Sequence, residues 1–401
     1  MNNAPNILIK KVVFLTPHSI LFIGFNLFYL IPIVLASLLN YSEGGVGYVL
    51  NNYKGVFQQF IIIYLISIVS FVIGSSWTGW LKFSNKISYW NIPKYKLGIL
   101  YYITLITVIL LFILSKYLLI EKGVYDSYAF NAKTMVGGIW TFSAFLSEVL
   151  VLLLIATLFS NNKRKWILVT FIGMLVSINL LHGTRIFIFV IFIALLVYML
   201  LSSKITFKRF LWFIFLIISL FFLLFAVFMF RHEMKYSVEA TSLEIMFSPI
   251  IYETVFSQMS LMGLLSDGNF SPYGSIQYFF TDIIQFTIPR FIFPNKGEFL
   301  YIRTYSYLSP LGAFSGYASG LIYFGYFFWL FYFFLGSLLS WILEISKKSS
   351  FFSIIYLYLV SDILFRIMRD GYVIPGKMVI TAFIILLGIT FGDKLIKGII
   401  R

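Results

Sequence analysis

The sequence predicts an all-α polytopic membrane protein of about ten transmembrane helices, with both termini cytoplasmic. One large outer loop, carrying re-entrant or interfacial helices, interrupts the pattern. Three observations support this class. Of 401 residues, 60% are hydrophobic and only 11% are charged, against about 25% charged in a soluble domain. The mean hydropathy is +0.94, more apolar surface than a soluble fold of this length can bury. The apolar runs approach the roughly 20 residues a helix needs to cross a bilayer, and the basic residues between them segregate by side.

In chain order, spans are predicted over residues 20–39, 57–80, 97–119, 134–159, 166–182, 186–202, 210–230, 317–343, 351–366 and 378–392. Lys10 and Lys11 precede the first, which is too long for the core of a cleaved signal and reads as a retained helix. Backbone groups in hydrocarbon must pair internally, and long unbroken runs satisfy that as helices rather than barrel strands. The whole chain, residues 1–401, therefore reads as a single integral membrane domain. Seventeen of its 30 lysines and arginines fall in short loops or tails on one side, such as Lys82, Lys86, Lys163, Arg164, Lys347 and Lys348. By the positive-inside rule that side is cytoplasmic. The largest outer segment runs over residues 231–316, much longer than an ordinary connection. Within it, residues 243–265 are apolar enough for a re-entrant helix or an extra pair of spans.

The chain has no cysteine and a formal charge of +15. Disulfide and thiolate chemistry are excluded, and the charge reads as anchoring to anionic lipid rather than nucleic-acid binding. Three scattered histidines, with no HExxH, offer no metal site. A stretch from Gly371 to Met378 resembles a phosphate-binding loop. Met378, however, stands where a magnesium-binding hydroxyl is needed, and a membrane helix precedes it instead of a strand. Neither Asp-x-Asp nor Gly-x-Ser-x-Gly occurs.

Arginine and lysine divide differently between the faces. Arg185, Arg231, Arg290, Arg303, Arg366 and Arg369 lie outside, whereas fourteen lysines lie inside. The planar guanidinium fork suits bidentate contact with phosphate oxygens, and charges at membrane depth are costly and usually functional. The pattern points to an anionic, phosphorylated ligand at the outer face, with helix-end snorkelling and ion pairs as the structural alternative. Three segments carry it. His182-Gly183-Thr184-Arg185 is a tight turn that sets Arg185 at a helix N-terminus, where anions are favoured. In residues 288–296, Pro289 and Pro294 hold an extended backbone that flanks an aromatic wedge with Arg290 and Lys296. Arg366 and Arg369, at i and i+3, share a helix face, and Asp370 is placed to orient one of them.

These segments, in this order, resemble the Wzy-type O-antigen polymerases, the oligosaccharide repeat-unit polymerase family. The resemblance rests on the HGTR turn, the long outer loop with IPRFIFPNK, the small-residue and aromatic stretch from Ser315 to Gly325, and RIMRDG, and covers residues 180–376. It implies a glycosyltransferase of the bacterial inner membrane, acting at the periplasmic face on two undecaprenyl-diphosphate-linked saccharides. A hydroxyl of the incoming repeat unit attacks the anomeric carbon of the growing chain, and undecaprenyl diphosphate leaves. No cofactor is implied. A chain-length co-polymerase and a flippase are implied as partners, with no nucleic acid. On this reading Arg185, Arg290, Arg303, Arg366, Arg369 and Lys296 bind diphosphate. His232, Glu233 and Asp370 are the candidate catalytic groups, with Asp282 and Glu148 behind them, and Tyr273, Tyr301, Tyr305 and Tyr307 stack on sugars. An O-antigen ligase uses the same donor and is separated only by motif order. A lipid-linked oligosaccharide flippase calls for internal repeats and a charged central cavity, which the sequence lacks.

Overall fold

A computed structural model describes residues 16–38, 44–80, 95–121, 135–182, 186–202, 242–288, 300–308 and 314–399. Its regular elements among the described residues are helical, apart from one isolated bridge, Tyr95 to Ser160. In chain order they are α1 (Pro17–Leu38), α2 (Gly44–Asn52), α3 (Phe57–Trp80), α4 (Ile99–Glu121), α5 (Met135–Leu158), α6 (Lys165–Ser177) and α7 (Ile186–Ser202). Then follow α8 (Ser242–Asp267), α9 (Ile276–Thr287), α10 (Gly316–Phe324), α11 (Phe328–Ser346), α12 (Ser350–Tyr358), α13 (Leu364–Asp370) and α14 (Val373–Ile399).

Seven helical stretches among the described residues are long and apolar enough to cross a membrane, so the protein is a multi-pass membrane protein. They coincide with the first four and the last three of the ten predicted spans. The predicted spans at 166–182 and 186–202 correspond to shorter apolar helices, Lys165–Leu180 and Ile186–Met199. The span predicted over 210–230 lies outside the described residues. Helix α8, the segment of uncertain status in the sequence, is continuous over 26 residues but does not join the seven.

The described residues pack as two units. In the first, α1 lies against α3 and α8. Phe22 stacks on Phe71 at 3.9 Å between ring centroids, and Phe25 meets Phe365 edge-on at 5.3 Å. Lipid is as apolar as leucine, so helices in it associate through close packing and polar contacts rather than hydrophobic drive. Helices α3 and α11 use both. A Cβ at Gly74 would strike the Phe333 backbone, and one at Gly336 would strike the Phe71 carbonyl. In the space gained, Ser337 Oγ donates to Gly74 O at 3.0 Å and Ser340 Oγ donates to Ser75 O at 2.7 Å. His18 Nε2 sits 3.0 Å from Ser340 Oγ. Because that hydroxyl proton is given to Ser75, the imidazole supplies the proton of its own contact.

The second unit is built around α5, which packs on α4, α6, α7 and α12. Residues 149–159 of α5 and its exit are all buried, as expected of a helix apolar on every face. Asn179 Nδ2 donates to Ser147 Oγ at 3.0 Å, and the Asp393 carboxylate accepts the Leu100 N–H at 3.0 Å in the first turn of α4. That turn has free N–H groups for an acid to satisfy.

Candidate functional site

The helix that starts at Ser350 widens into a π turn over Leu359–Ile363 and continues as α13 to Asp370. It stops at Gly371, whose φ of +73° is a left-handed conformation that a side chain would strain. Arg366, Arg369 and Asp370 therefore crowd the last turn before the chain breaks direction. Asp370 Oδ1 accepts a hydrogen bond from Arg369 Nη1 at 3.0 Å, and its Oδ2 lies 4.0 Å from Arg366 Nη1. The sequence anticipated Asp370 orienting one arginine; the carboxylate in fact lies between two.

A fourth charge comes from α8. Arg369 Nε donates to Glu253 Oε1 at 2.8 Å. Neither carboxylate contact uses Arg369 Nη2, so the five-donor guanidinium keeps capacity for another acceptor. The side chains of Arg366 and Asp370 are 7% and 10% exposed, those of Arg369 and Glu253 are 26% and 29% exposed. Charges this deep are tolerated only when paired and hydrogen-bonded. Tyr29 of α1 completes the surroundings. It is fully buried, lies within electrostatic reach of Glu253, Arg369 and Asp370, and its hydroxyl has no hydrogen-bond partner among the described residues.

A buried polar knot fixes this geometry. Gln258 and Ser260, one to two turns after Glu253 on α8, hold the N-terminus of α10. Ser315 Oγ donates to Gln258 Oε1 at 2.7 Å while accepting the Tyr317 N–H at 3.2 Å as the helix cap. The Ser315 N–H donates to Ser260 Oγ at 2.9 Å, and Gln258 Nε2 donates to the Met368 carbonyl at 3.3 Å. Helices α8, α10 and α13 are thereby tied together one residue from Arg369. Tyr317 also donates to Asn26 of α1.

A second group in the same unit is centred on Asp282, which is 1% exposed. Its oxygens accept the Tyr301 and Ile302 N–H groups at 2.9 and 3.0 Å, capping the 3₁₀ segment Tyr301–Leu308, and Oδ2 also accepts from Tyr323 at 2.5 Å. Asp282, named in the sequence as a reserve base, is thus a clasp with both oxygens engaged. The clasp presents tyrosines. Tyr301 stacks on Tyr278 at 4.3 Å and 12°, and Tyr305 meets Tyr301 edge-on. Tyr307 donates to Asp267 at 3.2 Å, and Tyr273 is 81% exposed. Burial and the contact with Tyr301 push the Tyr305 hydroxyl up; burial and Asp267 do the same for Tyr307. Both remain O–H donors at neutral pH. Glu253 and Asp267 stand on one helix, 14 residues apart by their numbers, which at 1.5 Å per residue is about 21 Å.

The structure thus links Arg366, Asp370, Arg369 and Glu253 in a chain of charges, and sets Tyr301, Tyr305 and Tyr307 in a separate group, with Tyr273 exposed between α8 and α9. Arg303 is exposed on the 3₁₀ segment beside Tyr301 and Tyr305, away from any ion pair with described residues. Glu148 is half-buried on α5 in the other unit. Arg185, His232, Glu233, Arg290 and Lys296 lie outside the described residues. No cluster of histidine and acidic residues suited to a metal occurs among the described residues. Sequence reasoning missed Glu253. Its signal was present as an acid within the apolar stretch of α8.

Membrane-crossing helices, an arginine–carboxylate cluster at a helix end and a separate tyrosine-bearing segment define a multi-pass membrane protein. The match that specifies it is to the family model of the O-antigen polysaccharide polymerase Wzy, over residues 6–398, and the chain belongs to that family. It is a membrane glycosyltransferase-type polymerase whose substrates are lipid-linked oligosaccharides. No curated protein and no solved structure matches the chain.

Proposed function

We propose that the protein joins undecaprenyl-diphosphate-linked repeat units at the periplasmic face of the bacterial inner membrane, with its termini in the cytoplasm. The hydroxyl of the incoming unit bonds to the anomeric carbon of the growing chain, and undecaprenyl diphosphate leaves. The observation that carries the reading is the pair Arg366 and Arg369, aligned by Asp370 at the end of a membrane-capable helix. Departure of diphosphate builds negative charge, and donors placed in advance stabilise it in a site of low dielectric. Arg303, with Arg185, Arg290 and Lys296, extends the set of diphosphate ligands. Asp370 holds its arginines in place, and His232 and Glu233 are further candidates for handling the acceptor proton. Tyr273, Tyr301 and Tyr305 present ring faces and hydroxyls to the saccharide. A chain-length co-polymerase and a flippase act beside it.

The test is the lipopolysaccharide ladder of a strain lacking the gene. The expected result is core plus a single repeat unit, with the long ladder gone. Core alone with lipid-linked polymer outside would overturn the reading in favour of a ligase. Single units trapped on the inner leaflet would overturn it in favour of a flippase.

A further inference from the structure

We infer that Glu253 is the catalytic carboxylate that takes the proton of the acceptor hydroxyl, an inference that rests on the polymerase reading above. Three observations lead to it. Two carboxylates border Arg369, and they are placed differently. Asp370 stands between two guanidiniums and is 10% exposed, which suits holding arginines. Glu253 is 29% exposed and borders Arg369 from another helix. It also sits one turn before Gln258, so the knot joining α8 to α10 and α13 fixes its helix relative to the arginines. Finally, the buried Tyr29 hydroxyl has no hydrogen-bond partner among the described residues and lies within reach of the same charges. A buried donor left unfilled is costly, and the charges that act on it are those of Glu253, Arg369 and Asp370.

In the step, the acceptor oxygen forms its bond to the donor's anomeric carbon as the bond from that carbon to the diphosphate oxygen breaks. The hydroxyl proton passes to the Glu253 carboxylate. The electron pair of the broken bond leaves on the diphosphate oxygen, whose charge Arg366 and Arg369 receive. Glu253 then returns its proton to water. One residue set thus serves both ends of the displacement, with Arg369 bridging them.

The experiment uses the full chain in proteoliposomes supplied with a lipid-diphosphate-linked oligosaccharide repeat unit. Glu253→Gln retains an oxygen that can accept from Arg369 Nε but removes the base. Its rate should fall by about 100-fold or more, the usual span for general-base catalysis, while thermal unfolding in detergent stays near wild type. In Glu253→Ala, added formate should restore part of the rate. The fall of wild-type rate towards acid pH should be absent from the residual activity of Glu253→Gln. A Glu253→Gln rate within threefold of wild type, or a loss that formate does not restore in a folded Glu253→Ala, would overturn the assignment and leave Glu253 as a mere partner of Arg369. A wild-type protein that makes no polymer from this substrate would overturn the polymerase reading itself, a result distinct from either of these.

Discussion

Two carboxylate-centred groups in the same unit, Asp282 with its tyrosines and Glu253–Asp370 with its arginines, differ in how their oxygens are used. Asp282 is 1% exposed and accepts from two backbone N–H groups and a tyrosine. Every one of its partners belongs to the frame, so its work is to hold the 3₁₀ segment in place. The Glu253–Asp370 group instead pairs side chains with side chains, across two helices, and keeps Arg369 and Glu253 partly open. Folding requires the first arrangement. It does not require the second, because a buried ion pair is often matched or bettered by apolar packing of similar volume. The proposed chemistry accounts for an arrangement that apolar packing could replace.

Substitutions should break the two groups in opposite ways. The largest effect is expected at Arg369. Arg369→Ala should reduce polymer synthesis by about 10²–10³-fold, the range for losing one charge-stabilising donor, and Arg369→Lys should recover little because the fork geometry is gone. A ladder of normal length in both would remove Arg369 from the site. Next comes Asp282→Ala. Losing charge-assisted bonds and leaving two N–H groups uncapped should cost on the order of 3 kcal/mol, seen as a lower unfolding temperature and less protein in the membrane. Unchanged stability would show that Asp282 is not a clasp. Gly371→Ala should cost about 1–2 kcal/mol through its left-handed backbone alone, with a smaller loss of activity as the turn after Asp370 shifts. The smallest effect is expected at Tyr273. Tyr273→Ala should leave stability intact and raise the acceptor KM severalfold, at the low end, about 1 kcal/mol, of the range for aromatic stacking on bases. A KM unmoved by this change would separate the tyrosines from the saccharide.

Much of the frame could be read from hydropathy because the bilayer makes a local demand: an apolar run of sufficient length has few alternatives to a helix. The pairing of Arg366, Arg369 and Asp370 was equally local, set by i, i+3 and i+4 spacing on one helix. Glu253 was not, since its arginine lies 116 residues further on, and no periodicity connects them. The clasp at Asp282 was hidden for the related reason that its partners, Tyr301, Ile302 and Tyr323, lie 19 to 41 residues away. A lone carboxylate looks alike in sequence whether it caps a backbone or faces a substrate. The 166–182 run shows a limit of another kind: its end tightens into a 3₁₀ turn at Ile178–His182, which apolar composition does not signal.

The close approach of α3 and α11 has a consequence for biogenesis. Ser337 and Ser340 reach Gly74 and Ser75 across 263 and 265 residues, and His18 waits for Ser340 across 322. At about 5–20 residues per second of synthesis, the early helices spend roughly 15 to 50 seconds in the bilayer before α11 emerges. Throughout that interval the notch at Gly74 has no helix to fill it and His18 has no serine. A ribosome stalled before residue 328 would therefore leave a nascent chain that is inserted but unclosed, recognisable to membrane quality control by an empty notch rather than by an exposed apolar surface.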